Sequence, residues 1–146
     1  MLPVFFIDSA VLTSTVVLKQ SEYFQKVKEF LKIASSYKDD ADFIFIYVSE
    51  AHPVDGWYTA SSPFSISNHQ NLAERFEAAE LLKGVVKDSV PIFVDNMKDE
   101  AALAYGALPE RLYIVRNGSV VFEGGGGPYF YSLEKMEKSL ANILRS

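Results

Sequence analysis

Residues 42–57 form the stretch DFIFIYVSEAHPVDGW, and its first half decides the fold. Residues 43–48 are a continuous run of aromatic and β-branched residues, which is typical of a strand that is buried on both faces of a sheet. Polar residues flank the run on both sides. The pattern predicts a central strand whose carboxyl end is followed by Glu50 and His52.

Towards the N-terminus, the sequence predicts one more strand and one helix. Residues 4–7 (VFFI) are a short apolar run ended by Asp8, which favours a first buried strand with a loop after it. Between residues 21 and 33, apolar side chains recur at helical spacing with Lys and Glu between them. This segment is therefore expected to be an amphipathic helix.

Towards the C-terminus, the sequence first predicts a helix, a strand and a short helix. The segment NLAERFEAAELLKGVV, at residues 71–86, carries an apolar stripe at helical spacing, and Asn68 is a natural N-cap for it. Residues 91–94 are short, apolar and strand-like, and residues 98–107 are rich in Ala. Strands and helices thus continue to alternate along the chain.

A hairpin and a last helix complete the prediction. Residues 110–125, ERLYIVRNGSVVFEGG, contain two strand-like runs separated by Asn117 and Gly118. These two residues tolerate positive φ, so they favour a tight hairpin turn. Residues 133–144 have helical periodicity, and Ser132 is the expected N-cap.

The order of the predicted elements indicates the fold class. Strands that alternate with helices over crossover-length connections must be parallel, and a terminal hairpin adds an antiparallel edge. This order predicts an α/β, thioredoxin-like fold with a central mixed sheet of about five strands flanked by helices, then a C-terminal β-hairpin and a helix. Because 146 residues suffice for one continuous core, residues 1–146 are expected to form a single domain.

Composition excludes several classes of function. The net charge is −5, from 14 basic and 19 acidic residues, so we expect no binding to nucleic acid or to an anionic membrane. There are no cysteines, which excludes disulfides and thiolate chemistry, and no helix has the His spacing of a dedicated metal site. The apolar N-terminal run is too short to span a membrane and lacks a basic start. A soluble, cytoplasmic protein is expected.

Residues 46–57, IYVSEAHPVDGW, resemble the iodothyronine deiodinase family, whose core has a strand followed by Glu-Ala-His and then Asp-Gly-Trp. Similar segments follow in the family's order. They are SPFSISNHQNLAERFEAAELL at 62–82, VPIFVDNM at 90–97, AYGALPERLYIVRNG at 104–118 and GGGGP at 124–128. The resemblance covers residues 42–130, more than chance matches of short motifs would reach.

The resemblance implies a thioredoxin fold related to peroxiredoxins, with an insertion after the second strand that shapes a pocket for a small aromatic ligand such as an iodothyronine. Family enzymes remove iodide reductively at the expense of a thiol, need no other cofactor and work as dimers, so a homodimer is possible here. By resemblance, Glu50 and His52 match the polar pair at the strand end, and His69 matches the histidine of the insertion. Trp57 matches the family's tryptophan. Trp57 and Phe64 are candidate ligand contacts, although packing is the simpler interpretation of both.

Strand geometry agrees with the placement of the polar pair. Glu50 and His52 follow a central parallel strand at the edge where α/β sheets bind ligands, and their spacing of two places them on one face. A carboxylate beside an imidazole can fix its tautomer and support proton transfer. The simpler interpretation is that both residues only organise the loop. For His69, the simpler interpretation is a residue at the start of a helix.

The sequence departs from the family at the reacting atom. Family enzymes carry selenocysteine or cysteine after the first strand, whereas counting along this chain places Thr13 or Ser14 there. A hydroxyl has no accessible redox couple, so it cannot replace the chalcogen. A basic residue that some members carry in the Gly-rich loop is replaced by Gly126. Arg111 could contact a ligand, although pairing with a surface carboxylate is its simpler role.

Three hypotheses follow. The favoured one is a non-catalytic homologue that keeps the ligand pocket, because both attacking and resolving thiols are missing. The alternative is a deiodinase whose selenocysteine is replaced at Ser14 or Thr13. The third is a hydrolase with Ser14 as nucleophile, His52 as base and Glu50 as orienting carboxylate. The third hypothesis has no nucleophile-elbow motif to support it.

Overall fold

The computed structural model describes residues 9–15, 20–50, 52–56, 64–107, 110–127 and 129–146. Strands and helices alternate through the first two thirds of the chain, as predicted. In chain order the elements are β1 (Ser9–Thr15), α1 (Gln20–Ser36), β2 (Asp42–Tyr47), α2 (Leu72–Val86), a 3₁₀ turn (Lys87–Ser89), β3 (Ile92–Val94), α3 (Glu100–Tyr105), β4 (Arg111–Arg116), β5 (Ser119–Glu123) and α4 (Leu133–Arg145).

The five strands form one mixed sheet in the order β3-β2-β1-β4-β5. β2 is parallel to both β1 and β3, whereas β4 is antiparallel to β1 and to β5. The carboxyl ends of β1 and β2 and the start of β4 therefore lie at the same edge of the sheet. In register, Thr15 lies beside Tyr47, and Ser14 lies beside Arg111.

The main core lies between one face of the sheet and three helices. Alternate residues of β2 point to this face because side chains along a strand alternate. They join one buried cluster with residues of α1, α2, β4 and α4, whose central members are Phe30, Phe45, Leu82, Ile114 and Met136. α3 packs on the other face, where Ala102 is buried with Val48. Within the described residues, α1, α2 and α4 thus cover one face of the sheet and α3 the other.

The segment after the predicted strand at residues 4–7 is where the sequence prediction was wrong. The predicted strand at residues 4–7 lies outside the described residues, and the segment expected to be a loop after it is β1, Ser9–Thr15. Its sequence, SAVLTST, mixes hydroxyl residues with apolar ones and so lacks the apolar run of a buried strand. Val and Thr nevertheless favour extended backbone, and pairing on both sides fixes it. Thr13 and Ser14 are therefore strand residues.

The C-terminal elements confirm their prediction. Asn117 and Gly118 both have positive φ, 52° and 75°, and connect β4 to β5. The register of the hairpin shifts between Ile114 and Val115, where β4 has an irregularity of the β-bulge type. The hydroxyl of Ser132 accepts a hydrogen bond from the backbone N–H of Lys135 and caps α4. None of the helices in the described ranges combines the length and apolarity needed to cross a membrane.

Candidate functional site

The polar residues gather where β1 and β2 end. Tyr47, the last residue of β2, is 1% exposed, and its hydroxyl lies 3.1 Å from Nε2 of His69. The two ring centroids are 5.7 Å apart with the planes tilted by 50°. The direction of this hydrogen bond depends on the imidazole tautomer. A buried phenol thus fixes the position of the imidazole at the edge of the sheet.

The surroundings of His69 keep it neutral near pH 7. Burial lowers the pKa of His69 below its ordinary value of 6.5, and the positive charge of Arg75 lowers the pKa further. The negative charges of Glu74 and Asp55 act in the opposite direction but do not reverse the shift. A neutral imidazole has one donor and one acceptor nitrogen, so it can bind a hydroxyl group in either role.

Two facing loop segments hold His69 in place. The backbone N–H of Val54 donates to the carbonyl of Ile66 at 2.8 Å, which joins the segments. The carboxylate of Asp55 accepts from both the backbone N–H and the side-chain amide of Asn68, at 2.8 and 3.3 Å. Phe64, half-buried, packs against the main core. The residue before His69 is therefore fixed by an acidic loop residue.

The start of α2 differs from the sequence prediction. The N-cap is Asn71 and not Asn68: the side chain of Asn71 accepts from the backbone N–H of Glu74 at 3.0 Å. The carboxylate of Glu74 reaches back to the backbone N–H of Gln70 at 2.7 Å. This reciprocal cap satisfies two backbone donors at the helix start. Because Asn68 instead pairs with Asp55, His69 lies in the loop before the helix.

Glu50 organises the turn after β2. Its carboxylate accepts a hydrogen bond from the backbone N–H of His52 at 3.1 Å, and the residue is 8% exposed. This contact is the loop-organising role that the simpler interpretation predicts. His52 itself is half-buried. Glu50 and His52 follow Tyr47, where β2 ends, so they lie in the loop beyond the strand and not on one strand face as predicted.

The proposed nucleophile positions are strand residues of β1. Thr13 pairs with Phe45 and Ser14 with Ile46, so both lie on the strand directly beside β2. Trp57, which the resemblance implies is near the ligand, lies outside the described residues.

Arg111 lies at the start of β4 and pairs with an acidic residue of β5. Its Nη1 is 2.7 Å from Oε1 of Glu123, and a hydrogen bond to the hydroxyl of Tyr113 raises the pKa of the guanidinium. The hydroxyl of Tyr113 in turn donates to the carbonyl of Tyr105. A Cβ placed on Gly126 would lie 3.9 Å from Nη2 of Arg111. A guanidinium therefore approaches the loop position where some family members carry a basic residue.

Two further charged groups were missed from the sequence. Glu110, 5% exposed, immediately precedes β4 and lies 3.2 Å from Nζ of Lys26, which in turn lies 5.0 Å from the ring centroid of Tyr131. Lys26 and Glu110 are 84 residues apart in sequence, so no local pattern reveals this ion pair. Arg75, 4% exposed, donates to the carbonyls of Asp95 and Asn96. Its place among exposed helix positions gave no sign of burial.

In the part of the chain that the structure describes, no three His, Asp or Glu side chains come close enough to hold a metal ion. The sheet order of the protein, its parallel β1–β2 pair and the place of the site at the carboxyl ends of these strands define a thioredoxin-like protein.

Solved structures support this fold class. The chain is similar to a secreted Mycobacterium tuberculosis disulfide oxidoreductase homologous to E. coli DsbE, with a TM-score of 0.58 and 12% identity, over 92% of this chain and 81% of that one. An uncharacterized conserved protein from Geobacillus kaustophilus matches with a TM-score of 0.57 and 20% identity, over 95% of this chain and 69% of that one. At these identities the likeness shows the fold alone.

Sequence comparison identifies the family. The family model for iodothyronine deiodinase matches residues 18–143, and the chain belongs to that family. It is 41% identical over 118 residues to a thyroxine 5-deiodinase of Sparus aurata, covering 81% of this chain and 44% of that protein. The Homo sapiens thyroxine 5-deiodinase is 35% identical over 114 residues, covering 78% and 37%. The chain thus spans less than half the length of these relatives.

Proposed function

We propose that this protein binds a small aromatic ligand of the iodothyronine type at the carboxyl edge of β1 and β2, and that it does not deiodinate the ligand. The observation that carries the proposal is the Tyr47–His69 pair. The buried phenol of Tyr47 contacts Nε2 of a neutral imidazole, and Nδ1 is the nitrogen that would face a ligand. Membership of the deiodinase family supplies the class of ligand.

The charges along this edge suit a ligand with a phenol at one end and an amino acid at the other. His69 can exchange a hydrogen bond with a phenolic hydroxyl, and Arg111 offers a cation to a carboxylate. His69 lies in the loop before α2 beside Tyr47 of β2, and β1 alone separates β2 from β4, which carries Arg111. Because side chains alternate along a strand, Tyr47 belongs to the face of the main core and Arg111 to the face of Tyr113 and α3, so a ligand has to lie across the carboxyl edge of the sheet to reach both groups. Arg111 would have to exchange its bond to the exposed carboxylate of Glu123 for the ligand's carboxylate.

The lack of turnover follows from chemistry. Reductive removal of iodide replaces a carbon–iodine bond with a carbon–hydrogen bond, and two thiols are oxidised to a disulfide while iodide leaves. The enzyme group that accepts the iodine must be a thiolate or selenolate that a thiol can then reduce. This chain has no cysteine, and the hydroxyls of Thr13 and Ser14 cannot be oxidised and reduced in that way.

Calorimetric titration with thyroxine and with reverse triiodothyronine tests the binding. We expect saturable binding to the wild type and a loss of at least roughly tenfold in affinity for His69→Ala, since a hydrogen bond at a desolvated site is removed. Lys135→Ala, an exposed position on α4, is the matched control and should bind as the wild type does. Absence of binding to the wild type would contradict the proposal.

The same design separates the proposal from the alternative of a replaced nucleophile. Thr13→Cys and Ser14→Cys each restore a thiol to β1. If either variant releases iodide from bound ligand in excess dithiothreitol, the site retains the geometry for catalysis and only the reacting atom was lost. If neither does, the site has diverged beyond the nucleophile, as we expect from the place of both residues within a strand that is paired on both sides.

A further inference from the structure

A cleft of about 300 Å³ lies between α2 and the edge strand β3. Its walls are apolar side chains of both elements, with charged residues along one part of the rim. The lining residues are Phe76, Ala79, Glu80, Lys83, Lys87, Val90, Pro91, Ile92 and Val94.

Among the described residues, no strand pairs with the backbone of β3 on the side of this cleft. The carbonyl of Pro91 accepts from the N–H of Phe45, and the N–H of Asp95 donates to the carbonyl of Tyr47. In a parallel pair, alternate residues direct their backbone groups to the neighbouring strand. Ile92 and Val94 therefore direct theirs to the outside, because β3 is the edge strand of the described sheet.

The apolar part of the cleft lies at one end and the cations at the other. Phe76 is 51% exposed although it is a large aromatic side chain. Lys83 and Lys87 lie seven and eleven positions further along, where the chain turns towards Val90 and Pro91. Glu80 pairs with Lys83 at 3.5 Å, which leaves the rim with one net positive charge on a chain of net charge −5. The cleft is thus a local cationic site in an acidic protein.

We propose that this cleft binds an extended segment of a partner protein, which adds to the sheet as a strand beside β3. One apolar side chain of the segment fills the space beside Phe76, and a carboxylate pairs with Lys83 and Lys87. Strand addition at a free edge next to a helix draws its affinity from backbone hydrogen bonds and its specificity from alternate side chains. In the part of the chain that the structure describes, no further strand pairs with β3, and β3 itself carries no charged residue, which favours such pairing.

The geometry fixes the spacing in the segment. Seven helical residues from Phe76 to Lys83 span about 10 Å, which corresponds to about three residues of an extended strand. The apolar residue and the acidic residue of the partner should therefore be three or four positions apart. This spacing distinguishes the proposed segment from an acidic tail that is attracted by charge alone.

Selection from a displayed library of random heptapeptides on the intact protein tests the proposal. We expect the enriched peptides to share an apolar and an acidic residue at that spacing. Fluorescence polarisation with the most enriched peptide then measures affinity. Lys83→Glu combined with Lys87→Glu should weaken binding roughly tenfold or more, whereas Lys28→Glu combined with Lys135→Glu, with the same change in net charge on other helices, should not.

A modified peptide tests strand pairing without altering the protein. N-methylation of alternate residues removes backbone donors on one edge of the peptide, and in one of the two alternations it should reduce affinity by roughly tenfold or more. The proposal is overturned if no peptides are enriched, if the Lys83 and Lys87 double variant binds as the control does, or if both N-methylated forms bind as the parent peptide does. The peptide experiment remains decisive even if the double variant fails to fold.

Discussion

At the residue scale, His69 shows how a partner distant in sequence fixes the position of one side chain. The sequence and the family resemblance indicated His69 as a ligand contact, and its neighbour Asn68 as a helix cap. They gave no indication of Tyr47, which is 22 residues earlier and contacts the imidazole only because β2 ends beside the inserted loop. Contacts between elements depend on tertiary packing, which no local pattern contains. The residue types of the site were therefore predictable, but their pairing was not.

The lowered pKa of His69 predicts a pH-dependent contribution to stability. Between its ordinary value of 6.5 and its lower folded value, the unfolded chain takes up a proton and the folded chain does not. The free energy of unfolding therefore decreases as the pH falls through this window, and the contribution is constant above it. Urea unfolding at pH 5.5 and 7.5 should show a larger decrease for the wild type than for His69→Gln. An equal decrease in both would refute the assigned environment, and His52→Gln is the control for the other histidine.

At the element scale, the predicted elements agree with the structure where the sequence signal is local. The turn at Asn117 and Gly118 and the cap at Ser132 depend on adjacent residues, and both are present. β1 was missed because the evidence for it is pairing with β2 and β4, which the hydroxyl-rich sequence does not reveal. The cap of α2 was placed three residues too early because two asparagines, Asn68 and Asn71, precede the same apolar stripe.

The two asparagines provide a test of the helix start. Asn71→Ala removes the side chain that caps α2 and should lower the free energy of unfolding by about 1 kcal/mol. Asn68→Ala leaves the cap intact and removes only the side-chain hydrogen bond to Asp55, while the backbone N–H of residue 68 still donates to that carboxylate, so it should loosen the loop and weaken ligand binding with a smaller effect on stability. Urea unfolding and the thyroxine titration measure the two effects. A larger loss of stability in Asn68→Ala would contradict the assigned cap.

Two glycines should respond to alanine in opposite directions. Gly84 lies inside α2, and a Cβ there meets no atom within 4 Å, so Gly84→Ala should stabilise the protein by about 0.5–1 kcal/mol. A Cβ on Gly127 would overlap the buried side chain of Glu110, so Gly127→Ala should destabilise it by about 1–3 kcal/mol. Chemical unfolding of both variants checks the pair, and a stabilised Gly127→Ala would show that the loop does not pack closely on Glu110.

At the scale of the whole molecule, the sheet positions polar groups from three strands and one inserted loop at one edge. The thioredoxin-like order and the family were predictable, because the order of elements and the motifs extend over most of the chain. The Lys26–Glu110 and Arg75–Asp99 ion pairs were not, since each joins elements that the fold alone brings together. The family relation and the absence of cysteine together support the proposal that the protein binds a ligand without redox chemistry.

The most direct test is to saturate the purified protein with thyroxine, add excess dithiothreitol and follow iodide together with intact hormone in one sample. Calorimetry on the same preparation establishes how much ligand is bound. The account predicts bound thyroxine that is recovered intact, with iodide release no faster than in a sample without protein. Iodide release that increases with protein concentration and disappears in His69→Ala would contradict it, because a chain without cysteine would then be carrying out the reaction.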